Sequence, residues 1–228
     1  MSDKNKLPLI YQLLLNRFGY QGWWPIRAEG EHNYNYHPKD YSFPKNDNEL
    51  FEICVGAILT QNTSWKNVET ALLSLRRHNA MSPSGIKRLP ASKLAQIIHS
   101  SGYHNQKAKK LKAFVDFYLN NKGIITRESL LNLWGIGPET ADSMLLYGYK
   151  VPIFVVDAYT RRIMGRIGFK ENSYGDIQKL FMENLPADHK IFNEYHALLV
   201  ELGKNICKSK PMCNYCPLKS ICKYGNLR

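Results

Sequence analysis

Leu131-Asn132-Leu133-Trp134-Gly135-Ile136-Gly137-Pro138-Glu139-Thr140-Ala141 decides the fold. Leu130, Leu131, Leu133 and Trp134 read as the end of one helix. Gly135 and Gly137 permit a positive φ or a close backbone approach, and Pro138 suits the first turn of the next helix, where its missing N–H is not needed. The stretch is therefore a helix, a hairpin and a helix. A glycine hairpin at a helix N-terminus leaves backbone N–H groups uncovered, an arrangement that binds phosphate. A plain turn between helices is the alternative, because the run lacks the third glycine of a dinucleotide fingerprint and the Gly-Lys-Ser/Thr of a P-loop.

Working outward, the apolar approach Val151-Pro152-Ile153-Phe154-Val155-Val156 leads into Asp157, after which Ala158-Tyr159-Thr160-Arg161-Arg162 opens another helix. Asp157 alone reads first as a helix cap, since aspartate is a favoured N-cap. Upstream, Phe51, Val55, Ile58 and Leu59 follow helical spacing, and Leu94, Ile97, Ile98, Leu111, Phe114, Val115 and Tyr118 continue it. No strand alternation stands out. Loops are expected over 29–47, at Ser82-Pro83-Ser84-Gly85 and at Asn120-Asn121-Lys122-Gly123. The chain reads as all-α, with roughly ten short helices.

Four of the five cysteines form C-x5-C-x2-C-x5-C: Cys207, Cys213, Cys216 and Cys222. Disulfides would need an oxidising compartment, so four thiols this close point to a metal. Zinc sites usually pair two separated C-x2-C knuckles, whereas one compact loop around four sulfurs suits an iron-sulfur cube, and the spacing favours the cluster over zinc. Lys204, Lys208, Lys210, Lys219 and Lys223 surround the loop, which makes it a DNA-facing knuckle rather than a redox relay. Cys54, alone in an apolar run, reads as a small buried hydrophobe.

Lys and Arg number 31 against 19 Asp and Glu, a formal charge of +12 that favours polyanions, chiefly nucleic acid, although a generically basic surface would give the same balance. Lys107, Lys109, Lys110 and Lys112 read as phosphate contacts, with a solvated face as the alternative. Leu7 to Leu15 is interrupted by Gln12 and followed by Arg17, so no targeting segment and no membrane span are expected.

Taken in order, Leu59-Thr60-Gln61-Asn62-Thr63, Gly102-Tyr103-His104-Asn105-Gln106-Lys107-Ala108, the hairpin, Val156-Asp157 and the cysteine loop resemble the helix-hairpin-helix DNA glycosylases of the endonuclease III superfamily. The resemblance implies a six-helix domain over 46–148 and a second helical domain made of 1–45 and 149–228. It further implies a 4Fe-4S cluster in the loop 207–222, with DNA held between the domains. Two departures stand out. The family's first cysteine spacing is x6 where this chain has x5, and bifunctional members carry a catalytic lysine where this chain has Glu139, so the Schiff-base route is missing at that position.

Glu139, Gly22-Trp23-Trp24-Pro25 and the run after Gln61 look like the 3-methyladenine DNA glycosylase III branch. That likeness implies a base pocket of Trp23, Trp24, Phe43 and Glu139. By resemblance Gln61 fills the vacated space and Tyr103 or His104 wedges the opposite strand, while Asp157 is the carboxylate expected to stabilise the oxocarbenium-like sugar and orient or deprotonate water, and Gly135, Gly137 and Lys107 are expected at the DNA backbone. The expected activity is monofunctional hydrolysis of the N-glycosidic bond of alkylated purines such as 3-methyladenine, in double-stranded DNA, after base flipping. The expected enzyme is a monomer in the cytoplasm of a prokaryote, associated with the nucleoid. Two other readings remain: a bifunctional glycosylase and lyase for oxidised bases using Lys66 or Lys107, and a DNA-binding module without catalysis.

Overall fold

The computed structural model describes residues 3–28, 30–121 and 125–227, and the side chains from residue 6 onward. Among these residues the chain is helical, with one isolated antiparallel bridge, Ile26 to Asn35, in place of any sheet. The chain divides into two compact units. One comprises 26–35 and 42–149, the other 1–25, 36–41 and 150–228.

In the first unit, α2 (Asp47–Leu59) is the centre. Phe51, Ile53, Cys54, Val55, Ala57, Ile58 and Leu59 are all buried, so the helix is apolar on nearly every side, as a core helix must be. Asn46 begins it by accepting the Glu49 N–H at 3.0 Å. Around it lie α3 (Trp65–Arg77), α4 (Pro83–Arg88), α5 (Ala91–Ile97), a 3-10 turn at His99–Ser101, α6 (His104–Asn120), α7 (Arg127–Leu131), α8 (Pro138–Ser143) and a π-turn at Met144–Gly148. Burial pushes the Cys54 thiol up to about 12, which fits a thiol packed as a hydrophobe.

The structure corrects three local expectations. Ser82 is a cap rather than a loop residue, accepting the Gly85 N–H at 3.0 Å, and Pro83 occupies the first turn of α4, where proline is favoured. The apolar periodicity from Leu94 to Tyr118 hides a break, because Gly102 (φ 68°) and Tyr103 (φ 45°) turn the chain between α5 and α6. The helix before the hairpin stops at Leu131, so Leu133 and Trp134 belong to the turn itself. Of the expected loops, Glu29 and residues 122–124 lie outside the described residues.

The second unit holds α1 (Asp3–Phe18), α9 (Ala158–Ile167), α10 (Tyr174–Asn184), α11 (His189–Asn205), 3-10 turns at Cys213–Tyr215 and Lys219–Ile221, and α12 (Lys223–Asn226). Helix α11 packs on both α1 and α9. Its core is aromatic: Phe154 stacks on Phe181 at 3.8 Å between ring centroids, and Tyr195 meets Phe181 edge-on at 5.0 Å. Edge-on and stacked pairs add about 0.5–1.5 kcal/mol each beyond burial. No helix of the described residues is long and apolar enough to cross a membrane.

Candidate active site and cysteine loop

The hairpin of the first unit is braced by side chains before it meets any partner. Arg127 at the start of α7 grips Asp142 in α8 with two hydrogen bonds, Nε to Oδ1 at 2.6 Å and Nη2 to Oδ2 at 3.1 Å. Gln61 Nε2 donates to the Gly135 carbonyl at 3.1 Å and to Thr140 Oγ1 at 2.8 Å, and its Oε1 accepts from Lys110 Nζ. Gly135 has φ 81°, and a Cβ there would sit 2.5 Å from Lys110 Cε. Glycine is favoured at this position by its positive φ, and a side chain there would also have to displace the Lys110 stem. A Cβ on Gly137 would meet nothing within 4 Å, and no side chain caps α8, so the first-turn amides stay uncovered. Glu139 is exposed in that first turn.

Gln61, Asn62, Tyr103, Lys110, Trp134 and Gly135 line a cleft of ≈ 310 Å³ in this unit. Tyr103 is 71% exposed and Trp134 57% exposed, unusual for rings this large on a soluble surface. His104 lies beside His99, with ring centroids 4.6 Å apart.

Lys107 does not stand on a solvated face. It is 1% exposed, and its ammonium donates to the Leu59 carbonyl at 2.8 Å and the Ser101 carbonyl at 2.6 Å. Burial, with the nearby Lys110 charge second, lowers its pKa to about 8. Its hydrogen bonds go to the ends of two helical segments, which the sequence does not announce. Lys112 likewise donates to the Lys87 carbonyl at 2.7 Å, while Lys109 and Lys66 are exposed. Phe43 belongs to this unit too, with Lys45 Nζ 4.2 Å above its ring.

In the second unit Asp157 caps α9, accepting the Thr160 N–H on Oδ1 at 2.7 Å. Its Oδ2 lies 3.8 Å from His196 Nε2. His196 is 5% exposed, and burial lowers its pKa against the opposing pull of Asp157. The imidazole meets Trp23 edge-on at 5.8 Å, and Trp23 also leans on Tyr36 at 6.4 Å. The two tryptophans differ in burial: Trp24 is 8% exposed and packs edge-on against Trp23, which is half-buried.

Helix α11 holds the tryptophan segment from below. Asn193 Nδ2 donates to the Trp23 carbonyl at 2.7 Å, and Glu194 accepts the Gln21 N–H and the Tyr41 hydroxyl, the latter at 3.1 Å. Burial raises the Glu194 pKa, and those donors pull it back down. Asn193, Glu194 and His196 escaped sequence reading. The available signal was the polar run Asn193-Glu194-Tyr195-His196 inside a helix that is otherwise apolar on its buried side.

At the far end of α9, Arg162 donates to the carbonyls of Cys207 (2.8 Å) and Gly203 (2.9 Å). Arg166 donates to the Lys208 and Ser209 carbonyls and sits 3.2 Å from Cys207 Sγ. Cys207, Cys213, Cys216 and Cys222 line one cavity together with Arg166 and Tyr224. Burial pushes the Cys216 thiol up to about 11, against the opposing pull of a backbone hydrogen bond from Leu218. Among the described residues, no three His, Cys, Asp or Glu side chains converge closely enough to hold a single metal ion.

Residues 55–187 match the HhH-GPD superfamily base excision DNA repair protein family. A protein of Methanocaldococcus jannaschii provisionally designated a DNA repair glycosylase is 39% identical, across 93% of this chain and 94% of its own. The endonuclease III of Thermotoga maritima is 29% identical, across 82% of this chain and 89% of its own. Among solved structures, a trapped endonuclease III–DNA covalent intermediate is similar with a TM-score of 0.81 at 21% identity, covering 100% of this chain and 99% of that one. The H. pylori 3-methyladenine DNA glycosylase bound to 1,N6-ethenoadenine is similar with a TM-score of 0.67 at 24% identity, covering 90% of this chain and 98% of that one. The all-α architecture and the helix-hairpin-helix are thus shared with those folds, and the chain belongs to the HhH-GPD superfamily of base excision DNA repair proteins, as a DNA glycosylase.

Proposed function

We propose that the chain is a monofunctional glycosylase that releases alkylated purines such as 3-methyladenine from double-stranded DNA by hydrolysis. The observation that carries this is Glu139: an exposed carboxylate occupies the first turn of α8, where a lyase of this superfamily would carry its amine. N3- and N7-alkylated purines carry delocalised positive charge, so they leave readily without a strong general acid. Trp23 supplies an aromatic ring that attracts a flat cation, about 1–2 kcal/mol per desolvated contact, with Trp24 packed edge-on behind it, and Phe43 and Glu139 are further proposed base-binding residues. A lysine at 139 would repel the same cation.

In the proposed reaction the bond between C1′ and the purine nitrogen breaks with its electron pair going to the base, which leaves neutral. Asp157 stabilises the oxocarbenium-like sugar, a water oxygen bonds to C1′, and the water's proton passes to the carboxylate or to solvent. Gln61 fills the space left by the flipped base, Tyr103 or His104 wedges the opposite strand, and Gly135 and Gly137 admit a phosphate to the hairpin amides. Gln61 must first give up its contacts to Gly135, Thr140 and Lys110. The proposed enzyme is a monomer that works in the prokaryotic cytoplasm, with 46–148 as one domain and 1–45 plus 149–228 as the other.

Cys207, Cys213, Cys216 and Cys222 would hold a 4Fe-4S cluster, which organises the loop between α11 and α12. Their shared cavity, and the Arg166 guanidinium beside Cys207 Sγ, suit a net negative cluster.

The test is release of free bases from methylated duplex DNA, resolved by chromatography, with borohydride in a parallel reaction. Free 3-methyladenine or 7-methylguanine without a trapped adduct is expected. A borohydride-trapped complex on oxidised DNA, with no alkylated base released, overturns the proposal in favour of a lyase. The endonuclease III relatives favour that second reading.

A further inference from the structure

We propose that His196 is a positioning residue that fixes Asp157 and Trp23 at once, an inference that rests on the catalytic reading of Asp157. The geometry lies within one unit. The cap at the head of α9 occupies Asp157 Oδ1, and Oδ2 faces His196 Nε2 across 3.8 Å. The same imidazole presents itself edge-on to Trp23 at 5.8 Å and to Phe154 at 6.4 Å. One turn earlier on α11, Asn193 holds the Trp23 carbonyl at 2.7 Å.

A core position does not require an imidazole. Placing one among aromatic rings with 5% exposure has a desolvation cost that phenylalanine or leucine would avoid. The return is control of a carboxylate. Asp157 can rotate about its χ2 with little resistance, as sp³–sp² torsions do, and the cap restrains one oxygen only. An imidazole facing the second oxygen at 3.8 Å is placed to restrict that freedom once the contact tightens, in the manner of the groups that orient metal ligands and catalytic bases. With the Nε2–H tautomer, His196 donates toward Oδ2. Because it stays neutral, it orients the carboxylate without cancelling the charge that the oxocarbenium needs. The contact is longer than a hydrogen bond in the free protein, and catalytic contacts of this kind tighten when substrate closes the site. A neutral edge against Trp23 also leaves that ring's face electron-rich for a cationic base.

The experiment compares the intact protein with His196→Ala, His196→Gln and Asp157→Asn. It reads the single-turnover rate of 3-methyladenine release, the dissociation constant for duplex carrying a tetrahydrofuran abasic analogue, and the thermal midpoint. Gln places its amide nitrogen close to the position of Nε2, so it restores the donor without the ring. His196→Ala is expected to slow base release by about 10- to 100-fold with binding changed less than about twofold, and His196→Gln to recover most of the rate. Equal slowing by Ala and Gln, a rate within about twofold of the parent for Ala, or losses of binding and midpoint that track the rate would overturn the proposal. Full activity in Asp157→Asn would instead overturn the catalytic reading on which it rests.

Discussion

Arg127 holds Asp142 by a two-point contact in which the carboxylate is wholly buried and the guanidinium is about one-third exposed. The two ends of the pair are therefore unequal. Removing the arginine takes a two-point partner from a buried charge, whereas removing the aspartate leaves an arginine that water can reach. Arg127→Met is expected to destabilise the protein by about 3–5 kcal/mol and Asp142→Ala by roughly half as much. Urea denaturation at neutral pH checks the order, and equal losses would contradict it.

Gly135 and Gly137 separate folding from binding. Alanine at 135 needs a positive φ and drives into the Lys110 stem, so a lower thermal midpoint is expected. Alanine at 137 meets no protein atom within 4 Å, so the midpoint should hold while the methyl group obstructs the uncovered amides. The expected loss in affinity for duplex DNA is about tenfold, or ~1.4 kcal/mol. Fluorescence anisotropy at fixed salt reads it, alongside the melting curve.

Lys107 has a folded pKa of about 8, below that of an unfolded lysine at 10.5. Between those values the unfolded chain binds more protons, so stability attributable to this residue rises with pH across that window and is lowest below pH 8. Subtracting the profile of Lys107→Met isolates the effect from buried tyrosines. The difference should grow in favour of the parent from pH 8 to pH 10 in chemical denaturation. A flat difference would mean that the amine keeps its proton as readily inside as outside.

The cysteine loop makes a compositional prediction. Anaerobically purified protein should be brown with about four iron atoms per chain. Cys213→Ala should lose both the colour and several degrees of thermal midpoint. Stoichiometric zinc without iron would replace the cluster with a mononuclear site.

What could be read from the sequence was local. Gly135 announces its turn, Pro138 its first helical turn, Asp157 its cap and Cys207 to Cys222 their loop, because each depends on residues a few positions away. What escaped was long-range. Lys107 looks like one of four surface lysines until Leu59 and Ser101 bring their carbonyls to it. His196 gains meaning only when Asp157 and Trp23, far apart in the chain, arrive beside it. Trp23 and Trp24 are chemically identical neighbours, and only packing decides which is core. Ser82-Pro83 fits a loop and a helix start equally well, and the Gly85 N–H chooses.

The bracing of the hairpin bears on the thermodynamics of association. Arg127 and Asp142 tie α7 to α8 in the free protein, a brace that stays in place when Gln61 moves, so little backbone order would remain to be imposed when a phosphate arrives. On the proposed role of the hairpin, binding there would draw its free energy largely from counterions released by the DNA. On the proposed roles the hairpin would be a socket rather than a clasp, and the conformational work of recognition would fall on Gln61 and on the DNA.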